Sequence, residues 1–276
     1  MNPIVSTITP CFRMERYLKK FLDELPNQTM FNELQVVLDH NEPTEQELIW
    51  VKDFQEKYPG RLKHIITNPV KPIGTSMNTC IKESDGEFLT IWNVDDLRTP
   101  NSLEIQVNLL RNTPCDVANG NFVIVPSFGS TVGKFIDHTI YTPKEFLRSM
   151  VLGPFFMFRK FLLEKSGMFD EQLKSGADFD LAIRLAVFGK VETTKEILGY
   201  YLDEGKGAST NGDGRQPLER TVIELRYGIL DKVEQTLMHK ALVGYDVRHV
   251  VIDGKKIYVG DIIPQYSDLL STNRKP

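Results

Sequence analysis

Four apolar runs rich in β-branched and aliphatic residues, each followed by a segment of helical spacing, constrain this chain more than any other feature. The runs are Ile4 to Thr9, Leu34 to Leu38, Leu62 to Thr67 and Phe88 to Asn93. Leu18, Phe21, Leu22 and Leu25 follow the first at the spacing of one helical face. Thr44 and Glu47 follow the second as a capping-box pair ahead of Leu48, Val51 and Phe54. Gly74 is expected to break the chain before a short helix bearing Met77, Cys80 and Ile81. After the fourth run, Thr99 as N-cap and Pro100 at the first helical position open a helix carrying Leu103, Val107 and Leu110. Strands alternating with helices predict an α/β fold: a mixed, mostly parallel sheet with right-handed crossovers and helices on both faces.

Open α/β sheets place ligands beyond the carboxyl ends of their strands. Three of these strand ends carry polar groups: Cys11 to Arg13, Asp39 to Asn41 and Asn93 to Asp96. If the strands are neighbours, the loops converge, and a nucleotide site is the simplest use of that edge. Asp95 and Asp96 are adjacent carboxylates, which repel unless something positive joins them. A divalent cation with oxygen ligands, Mg²⁺ or Mn²⁺, is the natural partner and commonly brings a diphosphate. The competing explanation of such a pair, taken alone, is an acidic turn that solubilises a loop.

The bulk numbers remove several classes. Lys and Arg total 33 against 37 Asp and Glu, a net charge of −4, so no basic face for nucleic acid is expected. The three cysteines, Cys11, Cys80 and Cys115, are widely spaced and odd in number, which fits a reducing compartment. No run of about 18 apolar residues is present, and the N-terminus lacks a basic segment followed by an apolar core. A cytoplasmic protein is expected, with peripheral contact at a membrane left open.

Past residue 115 the pattern changes. Val117 to Val125 is expected to form a strand, residues 127 to 138 a glycine-containing loop, and Thr142-Pro143 the start of a helix. Phe155 to Phe158 reads as a core strand. Leu181, Leu185 and Phe188 share a helical face that Gly189 ends, and Asp178 lies at that helix start. As an N-cap, Asp178 would satisfy free backbone amides. As a general base, it would be kept ionised there by the helix dipole. Asp180, two residues on, points elsewhere and reads as structural or substrate-facing, and Arg184 can pair with either carboxylate. Gly205 to Gly214 reads as a mobile loop or a domain boundary. Pro217 opens one long helix with Leu218, Val222, Leu225, Ile229, Val233 and Leu237 on one side. The opposite face holds Glu219, Arg220, Glu224, Arg226 and Lys232, and reads as solvated. That helix is free to pack on the preceding domain, pair with a second copy as a homodimer, or rest on a membrane. A hairpin about Asp253-Gly254 is expected after it.

Taken in order, these residues resemble a family 2 glycosyltransferase of the GT-A fold. Val5 to Arg13 resembles the family's first strand and Thr-Pro nucleotide loop, and Val36 to Asp39 its second strand. Gly74 with Asn78 is similar to the Gly-x-x-x-Asn stretch near nucleotide and donor sugar. Asn93-Val94-Asp95-Asp96 resembles the DxD region, and Gly167 to Asp170 with Ala177 to Leu181 resembles the segments around the catalytic base. The resemblance covers roughly residues 3 to 210. It implies an inverting enzyme that moves a sugar from a nucleotide-diphosphate donor, UDP-linked by expectation, to a hydroxyl of a glycan, lipid-linked or protein acceptor. Thr9, Pro10, Phe12, Asp39, Gly74, Asn78, Asn93, Val94 and Asp95 would hold the donor, Asp95 the Mg²⁺ or Mn²⁺, and Asp178 would be the base. The chain departs from the pattern at Asn93, where the first Asp of DxD is usual, at His40, where a second Asp is common, and at Ala177, where Glu usually precedes the base. Tyr201 to Gly205 lacks the His that often completes the metal site, for which Asp203 or Glu204 can substitute. A sugar-nucleotide-binding protein without catalysis and a nucleotidyltransferase are the rival readings. The latter expects a glycine-rich loop after the first strand, and Pro10 to Arg16 contains no glycine. Residues 1–212 are expected to form the catalytic domain, with a nucleotide half (1–115) and an acceptor half (116–212), and 213–276 a helix-and-hairpin extension.

Overall fold

The computed structural model describes residues 3–138, 152–205 and 212–263. The expected helix at Thr142 and most of the expected loop at Gly205–Gly214 lie outside these residues. The first half alternates as β1 (Val5–Phe12), α1 (Glu15–Glu24), β2 (Leu34–Asn41), α2 (Glu45–Lys57), β3 (Leu62–Thr67), α3 (Ile73–Lys82), β4 (Phe88–Ile91), β5 (Leu97–Arg98) and α4 (Ser102–Asn112). Then follow β6 (Val117–Val125), β7 (Lys134–Ile136), β8 (Met157–Arg159), α5 (Ala177–Phe188), β9 (Val191–Leu202), α6 (Arg215–Arg226), α7 (Gln235–Gly244), β10 (His249–Ile252) and β11 (Lys255–Tyr258).

The main sheet runs β3-β2-β1-β4-β8-β6-β9-β5, with β7 on the flank of β6. β1 is parallel to both β2 and β4, β2 to β3, and β6 to β9. β8 is antiparallel to both neighbours and makes the sheet mixed. Alternate residues of β1 and β2 feed two cores, as a strand's two-residue period requires. Val5, Cys11, Val36 and Leu38 pack under α1, α2 and α4, whereas Ile8 and Val37 pack under α3, α5 and α6. Every residue of β2 is buried, Gln35, Asp39, His40 and Asn41 included.

Several expected boundaries move, each for a local reason. β1 does not stop at Pro10 but runs to Phe12 against β2. Ile8 accepts from the Trp92 N–H of the β4 chain, so Pro10, two residues on, turns its donorless nitrogen to the side where the β4 ladder has ended. Asp39 lies within β2 rather than at its end, and β4 closes at Ile91, short of Asn93. Gly74 is inside the first turn of α3, not a break before it. α4 starts at Ser102, and Thr99 does not cap it: its hydroxyl donates to Ile197 O at 2.8 Å. The loop at 127–138 contributes β7.

The long helix expected from Pro217 is two helices, parted where Gly228 takes φ 66°. Its charged face is solvated only in part: Arg220 and Lys232 are exposed, but Glu219, Glu224 and Arg226 are buried, Glu219 completely. Val222, Ile223 and Tyr227 lie in the same core as α3 and α5, so of the three uses open to this segment the structure shows packing on the chain's own fold. The hairpin forms as expected, with Asp253 and Gly254 both at positive φ, the requirement of a two-residue type I′ turn.

The capping box at α2 is complete: Thr44 Oγ1 accepts from Glu47 N at 3.2 Å and Glu47 Oε2 from Thr44 N at 2.8 Å. Thr44→Ala is expected to cost about 1 kcal/mol, read as a lower urea midpoint with an unchanged slope. An unchanged midpoint would mean that tertiary packing alone fixes this helix start.

Candidate active site

β1 lies between β2 and β4, so the three polar strand ends sit side by side. Pro10 is in register with Asp39 and Phe12 with Asn41, while Ile8 faces Ile91 just before the Asn93 turn. Phe12 is half-buried and stacks under the Arg13 guanidinium, 4.8 Å from the ring centre. Thr9 and Val94 are buried and support these loops from beneath, the Thr9 hydroxyl being hydrogen-bonded to that of Thr7 at 2.8 Å.

Asn93 to Asp96 forms a tight turn closed by Asp96 N donating to Asn93 O at 3.1 Å. The two carboxylates of this turn have different surroundings. Asp96 is buried, accepts from Leu202 N at 3.1 Å and Asn93 Nδ2 at 3.2 Å, and so ties the turn to the end of β9. Asp95 is half-buried, and no side chain among the described residues donates to it. Burial first, and then the charge of Glu204, push its carboxyl above the usual range. Burial and the Asp95 charge push Asp96 well above it. Crowded, under-solvated carboxylates of this kind fit a hard divalent cation, whose charge would offset both effects.

Of the two acids considered as stand-ins for the family's His, Glu204 is the one whose charge reaches Asp95. It is held by a bidentate pair from Arg16 at 2.8 and 2.9 Å and by Tyr17 Oη at 3.2 Å. Asp203 instead accepts from Gly205 N at 3.0 Å.

Asp39, expected against the nucleotide, is completely buried and turned inward. It accepts from Thr67 Oγ1 at 2.6 Å, from Asn41 Nδ2 at 3.2 Å and from the Ser76 hydroxyl in the first turn of α3. Gly74 and Asn78 serve packing. A Cβ on Gly74 would stand 2.8 Å from Asp170 O, and the Asn78 amide exchanges two bonds of 2.9 Å with the Phe169 backbone. The first turns of α3 therefore join the end of β2 to the segment that leads into α5.

That segment holds the second acidic cluster, and most of its charge is neutralised internally. Asp180 is completely buried and accepts from Arg184 Nε and Nη2 at 3.0 and 2.6 Å, Arg226 Nη1 at 2.7 Å and Tyr227 Oη at 2.8 Å. Arg184 thus pairs with Asp180, which is structural. Asp170 is equally buried and takes the other Arg226 nitrogen, Nη2, at 2.7 Å and Val251 N at 2.8 Å. Glu171 accepts from Asn78 Nδ2 at 3.0 Å.

Asp178 has no cationic partner among these groups. It is the second residue of α5 and not its N-cap, which is Gly176. It is half-buried, and Oδ1 accepts from Phe179 N at 2.8 Å. Burial pushes its carboxyl up, against the Phe179 N–H and its own, and the Glu219 charge pushes the same way. The expectation that its position simply favours the ionised form is corrected by that desolvation. Glu219, 43 residues away from Gly176 on α6, ties down the backbone just ahead of this helix. Its carboxylate accepts from the backbone N–H groups of Lys174, Ser175 and Gly176 at 2.6–2.9 Å and from Tyr245 Oη at 3.0 Å. Sequence reasoning placed Glu219 and Arg226 in solvent; the only signal against it was the density of acids at 170–180 awaiting a counter-charge.

A mixed, mostly parallel sheet whose adjacent strand ends carry a nucleotide-type loop and an acidic turn, with helices packed on it, is a GT-A glycosyltransferase architecture. The chain belongs to glycosyl transferase family 2, whose model matches residues 6–167. It is 25% identical over 150 residues to the Escherichia coli UDP-Glc:alpha-D-GlcNAc-diphosphoundecaprenol beta-1,3-glucosyltransferase WfgD, covering 54% of this chain and 57% of that protein. It is 24% identical over 212 residues to an uncharacterized glycosyltransferase, RT0329, of Rickettsia typhi, covering 71% of this chain and 63% of that one. The chain therefore spans about three-fifths of the length of these relatives. S. aureus TarS 1–349, solved in complex with UDP-GlcNAc, superposes with a TM-score of 0.67 at 20% identity over 87% of this chain and 72% of that one. Among the described residues no helix is long and apolar enough to cross a membrane.

Proposed function

We propose that this chain transfers a sugar, with inversion, from a UDP-linked donor to an acceptor hydroxyl, with Asp178 as the general base. The observation that carries the base assignment is the unequal treatment of the acids around α5: Arg184 and Arg226 consume Asp170 and Asp180, while Asp178 has no cationic partner among the described residues at a half-open helix start. A carboxyl held above its usual range is also a stronger base once ionised. Asp178 takes the acceptor proton as the oxygen attacks the anomeric carbon. The bond to the diphosphate breaks on the opposite face, and the nucleoside diphosphate leaves. A single such displacement needs no covalent intermediate.

The donor side is Pro10, Phe12, Asn93 and Asp95, with Thr9, Asp39, Gly74, Asn78 and Val94 shaping it from behind. Asp95 would hold Mg²⁺ or Mn²⁺, with Glu204 able to contribute if Arg16 releases it. Such an ion, when bound, neutralises charge developing on the leaving diphosphate. The names of WfgD and of the TarS complex support a UDP donor, and WfgD supports a glycan or lipid-linked acceptor.

Calorimetric titration with UDP, GDP and dTDP, first with Mn²⁺ and then with EDTA, tests this reading. UDP is expected to bind in a metal-dependent manner, and Asp95→Asn to remove that dependence. Equal UDP affinity in Mn²⁺ and EDTA would exclude Asp95 as the metal ligand. Failure of all three nucleotides to bind would remove the donor site altogether.

A further inference from the structure

On the face of β1 and β2 covered by α2, a second group of ligand-type side chains meets. Cys11 and His40 are register partners on adjacent parallel strands, so their side chains share that face. Glu47 reaches them from the first turn of α2. One ligand atom from each, the Cys11 Sγ, a His40 ring nitrogen and a Glu47 carboxylate oxygen, lies within 4.8 Å of the other two. Cys11 is 1% exposed, and His40 and Glu47 are completely buried.

The protein alone does not satisfy this cluster. His40 Nε2 and Glu47 Oε1 make no well-aligned hydrogen bond among the described residues, an unusual condition for buried polar atoms and a costly one. His40 Nε2 stands 3.3 Å from Glu47 Oε2 without the alignment of a hydrogen bond. That separation suits two ligands of one ion, because nitrogen and oxygen atoms each about 2.0–2.1 Å from a tetrahedral Zn²⁺ are about 3.4 Å apart. The other ring nitrogen, His40 Nδ1, lies 3.2 Å from His64 Nε2. A hydrogen-bond partner on the non-ligating nitrogen is the usual means of aiming a histidine at a metal.

We propose that Cys11, His40 and Glu47 form a buried Zn²⁺ site, oriented by His64 and distinct from the Mg²⁺ or Mn²⁺ position at Asp95. The sulfur–imidazole–carboxylate set selects Zn²⁺ over hard cations, and four donor atoms are reached when both Glu47 oxygens bind. With all ligands buried the site is structural. It fastens the carboxyl ends of β1 and β2 to the start of α2, and so fixes the strand ends that carry Pro10 and Phe12.

Co²⁺ replacing Zn²⁺ gives a spectroscopic readout independent of activity. The full chain, stripped with a chelator and titrated with Co²⁺, is expected to show thiolate-to-metal charge transfer in the near ultraviolet and visible bands of a tetrahedral ion, saturating at a single equivalent and bleached by Zn²⁺. Cys11→Ser is expected to abolish the charge-transfer band, and Asp95→Asn to leave it intact. Should Cys11→Ser fail to fold, Glu47→Gln, which retains an acceptor for Thr44 N, is expected to weaken Zn²⁺ binding at least tenfold. No thiolate band in the wild-type chain, the same band in Cys11→Ser, or unchanged Zn²⁺ affinity in Glu47→Gln would each overturn the site.

Discussion

Asp178→Asn is expected to lower the transfer rate by roughly 10²–10⁴-fold, the usual contribution of a positioned base, while nucleotide affinity stays within a factor of two or so. The variant keeps the acceptor oxygen that binds Phe179 N, so the start of α5 is preserved. The pH profile gives a second test. Burial raises the Asp178 carboxyl, so the wild-type rate should rise with pH through a limb above the ordinary carboxylate range and then level off. In Asp178→Asn that limb should vanish. Transfer at the wild-type rate in Asp178→Asn would exclude it as the base. A limb that survived unchanged in a slowed variant would show that the pH dependence belongs to another group.

Arg226→Leu is expected to destabilise the fold by about 3–5 kcal/mol, because it leaves a buried carboxylate short of its counter-charge. Arg226 divides its two terminal nitrogens between Asp170 and Asp180, and Asp180 retains Arg184 when it is lost. The damage should therefore concentrate at Asp170. Without Arg226, Asp170 folds most readily when protonated, so its folded-state pKa lies above the unfolded one and the folded state binds more protons. Stability of the variant must then fall as pH rises, and its deficit relative to wild type should be smaller at pH 5 than at pH 8 in urea titrations. A deficit under about 1 kcal/mol, the worth of an exposed pair, would mean that water reaches Asp170. Lys19→Ala, which breaks an exposed pair with Asp23 on α1, is the control and should have no comparable effect.

The same residues show where sequence reasoning succeeds. β3 and β6 occupy the expected spans, and the α2 capping box forms as its spacing implies. These features depend on periodicity and on side chains three or four positions apart, which are properties of the chain itself. Strand ends were harder to place because they are set by where a neighbour stops: β1 passes through Pro10 only because the β4 ladder has already closed.

The site was legible as a set of positions but not as a set of roles. Gly74 and Asn78 stand out by spacing, yet the structure uses them to seat α3 against Phe169 to Glu171. Asp39 stands out at a strand end, yet Thr67, Ser76 and Asn41 occupy its carboxylate. Arg226 and Glu219 carry no local signal at all. Helical periodicity groups them on a polar face without revealing that this face meets a second polar cluster, 56 residues away in the pairing of Arg226 with Asp170.

The sequence by itself determined the alternation of strand and helix, the mostly parallel sheet and the gathering of Asp95 and Asp178 at loops and helix starts, because hydrophobic period and local capping act over a few residues. Only the tertiary structure decided which carboxylates are neutralised and which, among the described residues, have no counter-charge. Burial and the arrival of a counter-charge are set by long-range contacts, and in a low-dielectric interior those contacts fix both the cost and the chemistry of a charge.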